Sequence, residues 1–338
     1  MSGDNTLTAA HQAVEEGAGV RVLPGRAHVE ASGRHRARFL HNMTTCEVNQ
    51  LSPGHGTFGL TVDRGGKLVG QLFLDVDTET IRVEVDAALR ERIVGHWVQH
   101  RVADMIRFSD VDGLAVIALV GPRAATVLDS ASEGAASTLG VHQWLDTSVS
   151  GISCRLRRND DRLAQIGFDL TVAEADSAAL VSALQDAGAV ALPEAAWDAA
   201  RIVNGVPSDR VDMNEENIPL ESEHLIRGIS WNKGCYIGQE VIARMHFRGN
   251  PNRHLRGLRL SGETPKVGEL LFTAEGKEAG VVGTTGVDPT SGATIALAVV
   301  KRRFSEVGTA LSTEAGTSAE VLKVPFSEGT DATESASD

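Results

Sequence analysis

The amino-acid sequence predicts a mixed α+β protein that ends in a small antiparallel β-barrel. Before residue 250, paired strand patterns alternate with single helices, as in Gln71–Val76 and Thr80–Val85 followed by the amphipathic stretch Ala87–His100. This order is typical of mixed sheets flanked by helices rather than of a doubly wound parallel sheet. From about His254 onward, short apolar runs alternate with glycine turns. That spacing indicates antiparallel strands that close into a barrel.

The chain has 338 residues, a length that suits two or three modules. We expect a flexible N-terminus over residues 1–20, an α+β region of two lobes over residues 21–250 and the barrel over residues 251–326. The last twelve residues, 327–338 (SEGTDATESASD), are acidic and contain no aromatic side chain. Because such a segment buries too little apolar surface to fold, we expect a disordered tail.

Composition excludes several classes of function. The formal net charge is −13, which argues against direct nucleic-acid binding because phosphate contacts need clustered Lys and Arg. No secretory signal is visible, and no apolar run approaches the ~20 residues of a membrane helix. The three cysteines are widely spaced, so they form neither a disulfide framework nor a zinc or cluster-binding pattern. We therefore expect a cytoplasmic protein with reduced thiols, no stably bound metal and no membrane contact.

The segment Ile229–Arg244 (ISWNKGCYIGQEVIAR) carries the strongest chemical signal. Gly234 and Gly238 permit a tight backbone around Cys235, and a helix is expected from Gln239 onward. A thiol beside Lys233 and near a helix N-terminus has its thiolate form favoured. The alternative is a buried cysteine that packs as a small apolar side chain. The residues alone leave both interpretations open.

This segment resembles a known family. Lys233–Glu240 (KGCYIGQE) is similar to the K-G-C-Y-x-G-Q-E signature of the YgfZ family and its mitochondrial branch, within the aminomethyltransferase (GcvT-like) superfamily. Ala200–Pro207 (ARIVNGVP) and Gly33–Leu51 also resemble stretches of that superfamily. The resemblance implies a three-lobed GcvT-like body with folate in a central cavity and Cys235 at its rim. It also implies a signature loop that comprises Lys233, Gly234, Tyr236, Gly238, Gln239, Glu240 and Arg244.

One stretch departs from the aminomethyltransferases that this chain resembles. Those enzymes carry paired aspartates after a Gly-Gly pair, and one aspartate performs acid–base work at the folate nitrogen. Here Gly65–Gln71 (GGKLVGQ) places Val69 and Gly70 at those positions. Neither residue holds a proton, and general acid–base assistance is typically worth ~10²–10⁴ in rate. We therefore expect no aminomethyl transfer.

By the same resemblance, tetrahydrofolate or a derivative is the expected ligand. Trp197 is the expected stacking platform, and Arg201, Asn204 and Arg248 are the other expected folate contacts. Without the resemblance, Trp197 would be interpreted as a core residue, and Asn before Gly is a common turn pair. Arg26 stands where the family has a second folate-side tryptophan. The basic run from Lys233 to Arg259 is either a solvated face or an anion site.

The resemblance implies a function in the assembly or repair of iron–sulfur clusters in client enzymes, including enzymes that modify tRNA. Cys235 is the expected catalytic residue, either as a transient iron ligand or through sulfur exchange, and the expected partners are client proteins or assembly factors. Two alternatives remain open at this point: a folate-dependent one-carbon transferase or demethylase, and a non-catalytic adaptor with structural folate. The acidic loop Asp209–Glu223 could cover a site, but the sequence assigns no chemistry to it.

Overall fold

The structure, a computed structural model, describes residues 2–132 and 136–326, with side chains from Leu7 onward. Its chain forms two β-sheets flanked by helices and a closed barrel at the C-terminal end. The predicted α+β class with a C-terminal antiparallel barrel is therefore confirmed. The predicted disordered tail, residues 327–338, lies outside the described residues.

The N-terminal segment differs from its prediction. Helix α1 spans Ser2–Glu16, and strand β1 follows at Gly19–Leu23. Ala10, Ala13 and Val14 of α1 are buried. Their spacing of three and four residues gives the helix an apolar stripe, and Ala10 and Val14 of this stripe pack in one cluster with Trp197. The prediction of a flexible segment over residues 1–20 is wrong because this short stripe anchors the helix.

The first sheet follows β1 and has five strands. They are β2 (Arg26–Ser32), β3 (His55–Val62), β4 (Leu68–Val76), β5 (Thr80–Asp86) and β6 (Arg107–Val111). All pairs are antiparallel, in the order β3-β4-β5-β2-β6. Helices α2 (Arg36–Met43) and α3 (Arg90–Gln99) pack against the sheet. The indole of Trp97, fully buried on α3, donates a 3.0 Å hydrogen bond to Thr61 and so fixes α3 to β3.

The second sheet has six strands and includes β1. The other five are β7 (Leu114–Val120), β8 (Trp144–Val149), β9 (Ile152–Arg158), β10 (Gly167–Ala173) and β11 (Val190–Ala191). The order is β11-β1-β7-β10-β9-β8, and the β1–β11 pair is parallel. Helices α4 (Ala124–Ala131), α5 (Ser177–Asp186) and α6 (Glu194–Asn204) accompany this sheet. Because β1 precedes the whole first sheet along the chain, the first sheet is inserted between two strands of the second.

A buried network of charged side chains joins the two sheets. Arg157 of β9 donates to Asp75 of β4 at 3.1 Å, to Glu84 of β5 at 2.7 Å and to Asp169 of β10 at 2.6 Å. Arg162 contacts the same Glu84 and Asp169 at 2.5 and 2.9 Å. Burial alone would raise the pKa of Glu84 and Asp169, but the arginine charges hold both below their usual values. Both carboxylates are therefore ionised at neutral pH.

The barrel closes with six antiparallel strands. They are β12 (Arg253–Ser261), β13 (Leu270–Phe272), β14 (Glu278–Val287), β15 (Thr294–Lys301), β16 (Ala310–Thr313) and β17 (Ser318–Leu322). The strand order is β12-β15-β14-β13-β16-β17. Between α6 and the barrel lie two short helices, α7 (Glu223–Ile226) and α8 (Gln239–Arg248). No helix in the described ranges combines the length and the hydropathy needed to span a membrane.

The buried network predicts a large effect of removing one arginine. Arg157→Leu leaves Asp75, Glu84 and Asp169 without their shared partner, and an uncompensated buried charge costs on the order of 3–5 kcal/mol. We expect urea denaturation to show a loss of that size in the free energy of unfolding. The neighbouring variant Arg158→Leu, which removes a partly exposed pair with Asp160, should cost about 1 kcal/mol or less. Equal losses for the two variants would contradict the structural role of the network.

Candidate functional site

The candidate site is a cavity of about 230 Å³ between the two sheets. Strands β1, β2 and β4, helix α6 and the loop after α6 contribute to its wall. Its charged and aromatic lining residues are Arg21, Arg26, Phe73, Asp86, Asp161, Arg162, Glu194, Trp197, Asp198, Arg201 and Asp209. Of the four residues expected to contact folate, Trp197 and Arg201 line this cavity, and Asn204 and Arg248 do not.

Trp197 combines the two roles that the sequence left open. Only 8% of the residue is exposed, and it packs in a cluster with Leu23 and Ala196. It also lines the cavity, so one part of the side chain supports the core and another faces the open space. A flat aromatic wall of this kind suits a stacked heterocycle.

Arg201 faces the cavity but has no donor to spare. Nε and Nη2 both donate to Asp198, Nη1 donates to Asp212 and to the carbonyl of Val206, and Nη2 also reaches the hydroxyl of Thr284. These bonds use all five N–H groups of the guanidinium. Arg201 therefore braces α6 against the barrel, and the expectation that it binds a ligand is not supported by its contacts.

Asn204 is the last residue of α6. Gly205 follows in the left-handed region at φ 68° and ends the helix. A Cβ at Gly205 would also lie 2.7 Å from Val324, so only glycine fits this turn. Asn204 therefore lies at the end of α6, and Gly205 determines the geometry of that helix end.

The cavity also contains a carboxylate that sequence reasoning missed. Asp209 lies in the loop after α6, and its Oδ1 accepts a 3.1 Å hydrogen bond from Nε2 of Gln71 on β4. Burial raises the pKa of Asp209 to about 6, although Gln71 and the charge of Arg26 oppose the rise. The sequence signal was faint: an Asp two residues after Pro207, in a loop to which no chemistry was assigned.

The two positions that lack the transferase aspartates lie beside this arrangement. Val69 and Gly70 belong to β4, immediately before Gln71, and neither lines the cavity. A Cβ at Gly70 would come within 2.7 Å of Ile93 on α3, so this position has little room for a larger side chain. The cavity carboxylate that contacts β4 is Asp209, through its hydrogen bond with Gln71.

The signature loop, residues 233–240, is held by its lysine. The ammonium group of Lys233 is buried and donates to the backbone carbonyls of His41, Thr44 and Cys46, the last two at 2.7 and 2.6 Å. Burial lowers the pKa of Lys233 to about 8, so the group remains mostly charged at neutral pH. Lys233 therefore anchors the loop to the end of α2. The expected role, stabilisation of the neighbouring Cys235 thiolate, is not supported because this charge faces Cys46 and Glu47.

The three cysteines occupy different environments. Cys235 is exposed, whereas Cys46 and Cys154 are buried. Burial raises the pKa of the Cys46 thiol, and it raises that of Cys154 to about 11. The loop that carries Cys235 contributes no residue to the cavity lining, in contrast to the expected place at its rim. Within residues 2–132 and 136–326, no three His, Cys, Asp or Glu side chains are arranged to hold a metal ion.

Helix α8 begins where it was expected, directly after the loop. Gly238 has φ 81°, and a Cβ there would lie 2.4 Å from the carbonyl of Asp63, so glycine is required. Gln239 is half-buried in the first turn, while Glu240 is exposed and shows no hydrogen bond to the loop in the described part of the chain. Among the described contacts, Glu240 therefore does not fix the loop by accepting backbone hydrogen bonds.

The exposed face of α8 carries aromatic and basic side chains. Trp231 stacks on His246 with ring centroids 3.9 Å apart, and Phe247 is 72% exposed beside them. Arg244 and Arg248 are exposed and form no ion pair among the described residues. Farther along the basic run, Arg253 pairs with Glu221 and Arg259 with Glu320. Arg244 and Arg248 thus leave unpaired positive charge on α8, next to the signature loop.

Family comparisons agree with this architecture. The model described as the GCVT N-terminal domain matches residues 3–233, and the glycine cleavage T-protein C-terminal barrel domain matches residues 253–327. The two sheets around one polar cavity correspond to the first domain, and the six-stranded barrel corresponds to the second. The chain therefore belongs to the glycine cleavage T-protein (GcvT) family.

Relatives extend over nearly the full chain. An aminomethyltransferase of Rubrobacter xylanophilus is 27% identical and covers 95% of this chain and 86% of its own length. A chloroplastic putative transferase of Arabidopsis thaliana is 26% identical over 94% of this chain and 73% of its own. The crystal structure of the glycine cleavage system aminomethyltransferase T from Bartonella henselae superposes with a TM-score of 0.82 at 20% identity. It covers 95% of this chain and 90% of the Bartonella chain, which shows a shared fold.

The cysteine environments predict selective alkylation. In the native protein at pH 7.5, iodoacetamide should add to Cys235 alone, because the other two thiols are buried and their thiolate forms are disfavoured. Intact-mass measurement should show one adduct before unfolding and three in denaturant. Cys235→Ser should show none before unfolding. A second native adduct that forms as fast as the first would contradict the assignment.

Proposed function

We propose that this chain binds a reduced folate in the cavity and uses Cys235 to support the assembly or repair of iron–sulfur clusters in client enzymes. The observation that carries the proposal is the exposed Cys235 on a loop that a buried lysine fixes to three carbonyl groups. An exposed cysteine on a rigid loop is accessible to a partner, whereas a cysteine with a packing role is normally buried.

Folate binding rests on the family and on the fit of the cavity. Its volume suits the two-ring head of a folate, and Trp197 offers a flat wall for that ring system. Arg26 uses Nε to contact Glu84 at 2.7 Å and brings further N–H donors to the lining. Such donors suit the carbonyl and carboxylate oxygens of a folate. The longer tail of the ligand would extend out of the cavity.

Two observations argue against aminomethyl transfer as the main activity. Val69 and Gly70 stand where the transferases carry acid–base aspartates, and neither side chain can exchange a proton. The position of Gly70 is also closed by Ile93. The YgfZ-like signature, KGCYIGQE, places a cysteine where the transferases carry an aspartate. The scaffold is therefore retained while the groups that perform the transfer are replaced.

In this proposal Cys235 provides one thiolate ligand, whereas an iron–sulfur cluster needs several. A single thiolate cannot hold an iron–sulfur cluster, so the remaining ligands must come from a client protein or an assembly factor. The exposed aromatic and basic face of α8, next to the loop, is the surface where such a partner would meet the thiol. We expect the work to take place in the cytoplasm, where thiols stay reduced.

A folate-dependent one-carbon transferase is the second candidate. It is favoured by the relatives that are named aminomethyltransferases and by Asp209, a half-buried carboxylate that lines the cavity. A carboxylate with a pKa of about 6 can exchange protons near neutral pH. Asp209 could in this way supply acid–base chemistry that positions 69 and 70 cannot.

The folate part of the proposal predicts a stacking contribution from Trp197. Trp197→Leu keeps an apolar side chain but removes the ring, and loss of an aromatic stack on a heterocycle costs about 1–3 kcal/mol of binding free energy. Calorimetric titration with 5-formyltetrahydrofolate should show this loss. Trp231→Leu is the matched control because Trp231 stacks on His246 outside the cavity. The affinity of this variant for 5-formyltetrahydrofolate should equal that of the wild type. Equal affinities for all three proteins would remove Trp197 from the site.

The thiol part predicts a selective loss in cells. In a strain that lacks its own gene, Cys235→Ser should fold and bind folate but fail to restore iron–sulfur enzyme activity. Cys154→Ser should restore it, because that thiol is buried under the second sheet. Melting curves of both purified variants verify that they fold.

A transfer assay separates the two candidate functions. Tetrahydrofolate and an aminomethylated lipoyl carrier should give no methylene-folate above background with the wild type. Suppose that the wild type turns over at the ~1–10³ per second usual for enzymes and that Cys235→Ser complements fully. These two results would reject the thiol-dependent function and support the one-carbon transferase.

A further inference from the structure

We infer that the chain's own acidic C-terminal segment, residues 327–338, binds a basic surface formed by helix α8 and the turn between β3 and β4. The basic surface is defined by Arg64 and Lys67 of the turn and by Arg244 and Arg248 of α8. Binding of this kind needs neither folate nor the thiol, so it goes beyond the proposed function. It would place the segment next to the signature loop, where it would compete with an acidic partner.

The turn between β3 and β4 lies against α8. At Gly66, in the middle of the turn, an added Cβ would lie 3.2 Å from Cγ1 of Val241 on the helix. Val241 precedes Arg244 by three residues, and Arg244 precedes Arg248 by four, so the three side chains share one face of α8. The two arginines are therefore on the side of the helix that meets the turn.

The four cations of the basic surface have no anionic partner. All four side chains are exposed, and none forms an ion pair within the described part of the chain. The acidic side chains on the same two elements are the exposed Glu240 and Asp63, whose Oδ1 accepts the backbone N–H groups of Gly65 and Lys67 at 2.8 and 2.9 Å. Positive charge thus exceeds negative charge on these elements, in a chain whose formal net charge is −13. An acidic ligand is attracted here, whereas the net charge of the chain repels it elsewhere.

An acidic occupant would stabilise this surface. Arg244 and Arg248 are like charges four residues apart on one helix face, an arrangement that destabilises a helix. Carboxylates placed between the cations would replace this repulsion by attraction. Because each exposed ion pair contributes little, the occupant needs several carboxylates and a low cost of association. A segment of the same chain meets the second condition, since a short tether holds its effective concentration on the order of millimolar.

The segment after Phe326 has the matching charge. Residues 327–338 (SEGTDATESASD) contain four carboxylate side chains and no Lys or Arg. The four acids are Glu328, Asp331, Glu334 and Asp338. The segment contains no aromatic or large aliphatic side chain, so its attraction to the basic surface would be electrostatic. The exposed ring of Phe247 would therefore stay open to a partner.

The described residues end close enough to α8 for this contact. The backbone N–H of Phe326 donates to the carbonyl of Val203 at 2.8 Å, and its ring lies against Gly257 of β12. Phe326 packs against the same buried cluster as Met245 of α8. Arg248 precedes Gly257 by nine residues, so the two are at most ~32 Å apart, whereas twelve residues can span ~40 Å. The segment is therefore long enough to reach the basic surface from Phe326.

Zero-length cross-linking of the full-length protein tests the contact. A carbodiimide activates a carboxylate, and a lysine amine in contact with it then forms an amide bond. At low salt, mass spectrometry should find residues 327–338 linked to Lys67 at least about fivefold more often than to Lys266, an exposed lysine of the barrel. In 0.5 M NaCl the yield at Lys67 should fall to that at Lys266, because salt screens exposed charges.

Two double variants with the same change in net charge separate the basic surface from a general electrostatic effect. Arg244→Gln with Arg248→Gln removes two cations of the surface and should lower the yield at Lys67 at least about threefold. Arg107→Gln with Arg123→Gln removes two exposed arginines elsewhere, which form no ion pair with other described residues, and should leave that yield unchanged. Melting curves of both double variants verify that they fold.

A mixture of isotopically labelled and unlabelled wild type shows which chain supplies the segment. Cross-links confined to single chains support the inference, whereas links between labelled and unlabelled chains would assign the surface to a second copy and overturn it. Equal yields at Lys67 and Lys266 at low salt, or an unchanged yield in the Arg244→Gln, Arg248→Gln variant, would also overturn it. None of these results depends on folate binding or on complementation by Cys235→Ser, so failure of the proposed function is detected separately.

Discussion

The contact on which the cavity depends is the buried ion network between the sheets. Arg157 of the second sheet and Arg162, in the loop between β9 and β10, share Glu84 of the first sheet, and both also pair with Asp169. Desolvation of so many charges is costly, and here it is offset because Arg157, Arg162, Glu84 and Asp169 each have at least two charged partners. Arg162 also lies over the ring of Phe73, with 4.2 Å between the guanidinium carbon and the ring centroid. Since Phe73 and Arg162 both line the cavity, the network that joins the sheets also forms part of the wall of the site.

Two irregular segments carry the candidate chemistry, and each is fixed by one buried charged side chain. Lys233 satisfies three carbonyl groups at the end of α2, and Asp212 satisfies two backbone N–H groups. Segments without regular structure have backbone groups that lack partners, and such groups are costly to bury. A single charged side chain can bind several of these backbone groups at once, because it has several hydrogen-bond positions. The exposed Cys235 on one segment and the half-buried Asp209 on the other are thereby left without a fixing role of their own.

The sequence predicted the parts of the molecule that depend on local patterns. Strand and helix periodicity located the α+β region, the barrel and the start of α8, and the family resemblance placed Trp197 at the cavity. Contacts between distant segments were not predictable. The guanidinium of Arg201 is committed to Thr284, 83 positions away, so it could not be recognised as structural from its neighbours. Asp209 meets Gln71 across 138 positions, and no pattern in the acidic loop indicates that contact. The N-terminal helix was missed because its apolar stripe consists mostly of alanine.

Asp209 also changes how the missing transferase aspartates are interpreted. Loss of carboxylates at positions 69 and 70 does not make the cavity neutral, because a carboxylate from the loop after α6 reaches β4 one residue farther along, at Gln71. Under the proposed function, a carboxylate in a different place would face a different atom of the ligand, so the ligand could still be bound without proton transfer at the original atom. The thiol lies outside this cavity, yet the two features share packing: Phe73 of the cavity wall and Tyr236 of the signature loop belong to one buried cluster. Under the proposed function, a ligand that displaces Phe73 would act on the loop through the intervening side chains of this cluster, so that folate binding and the cysteine would be coupled by packing alone.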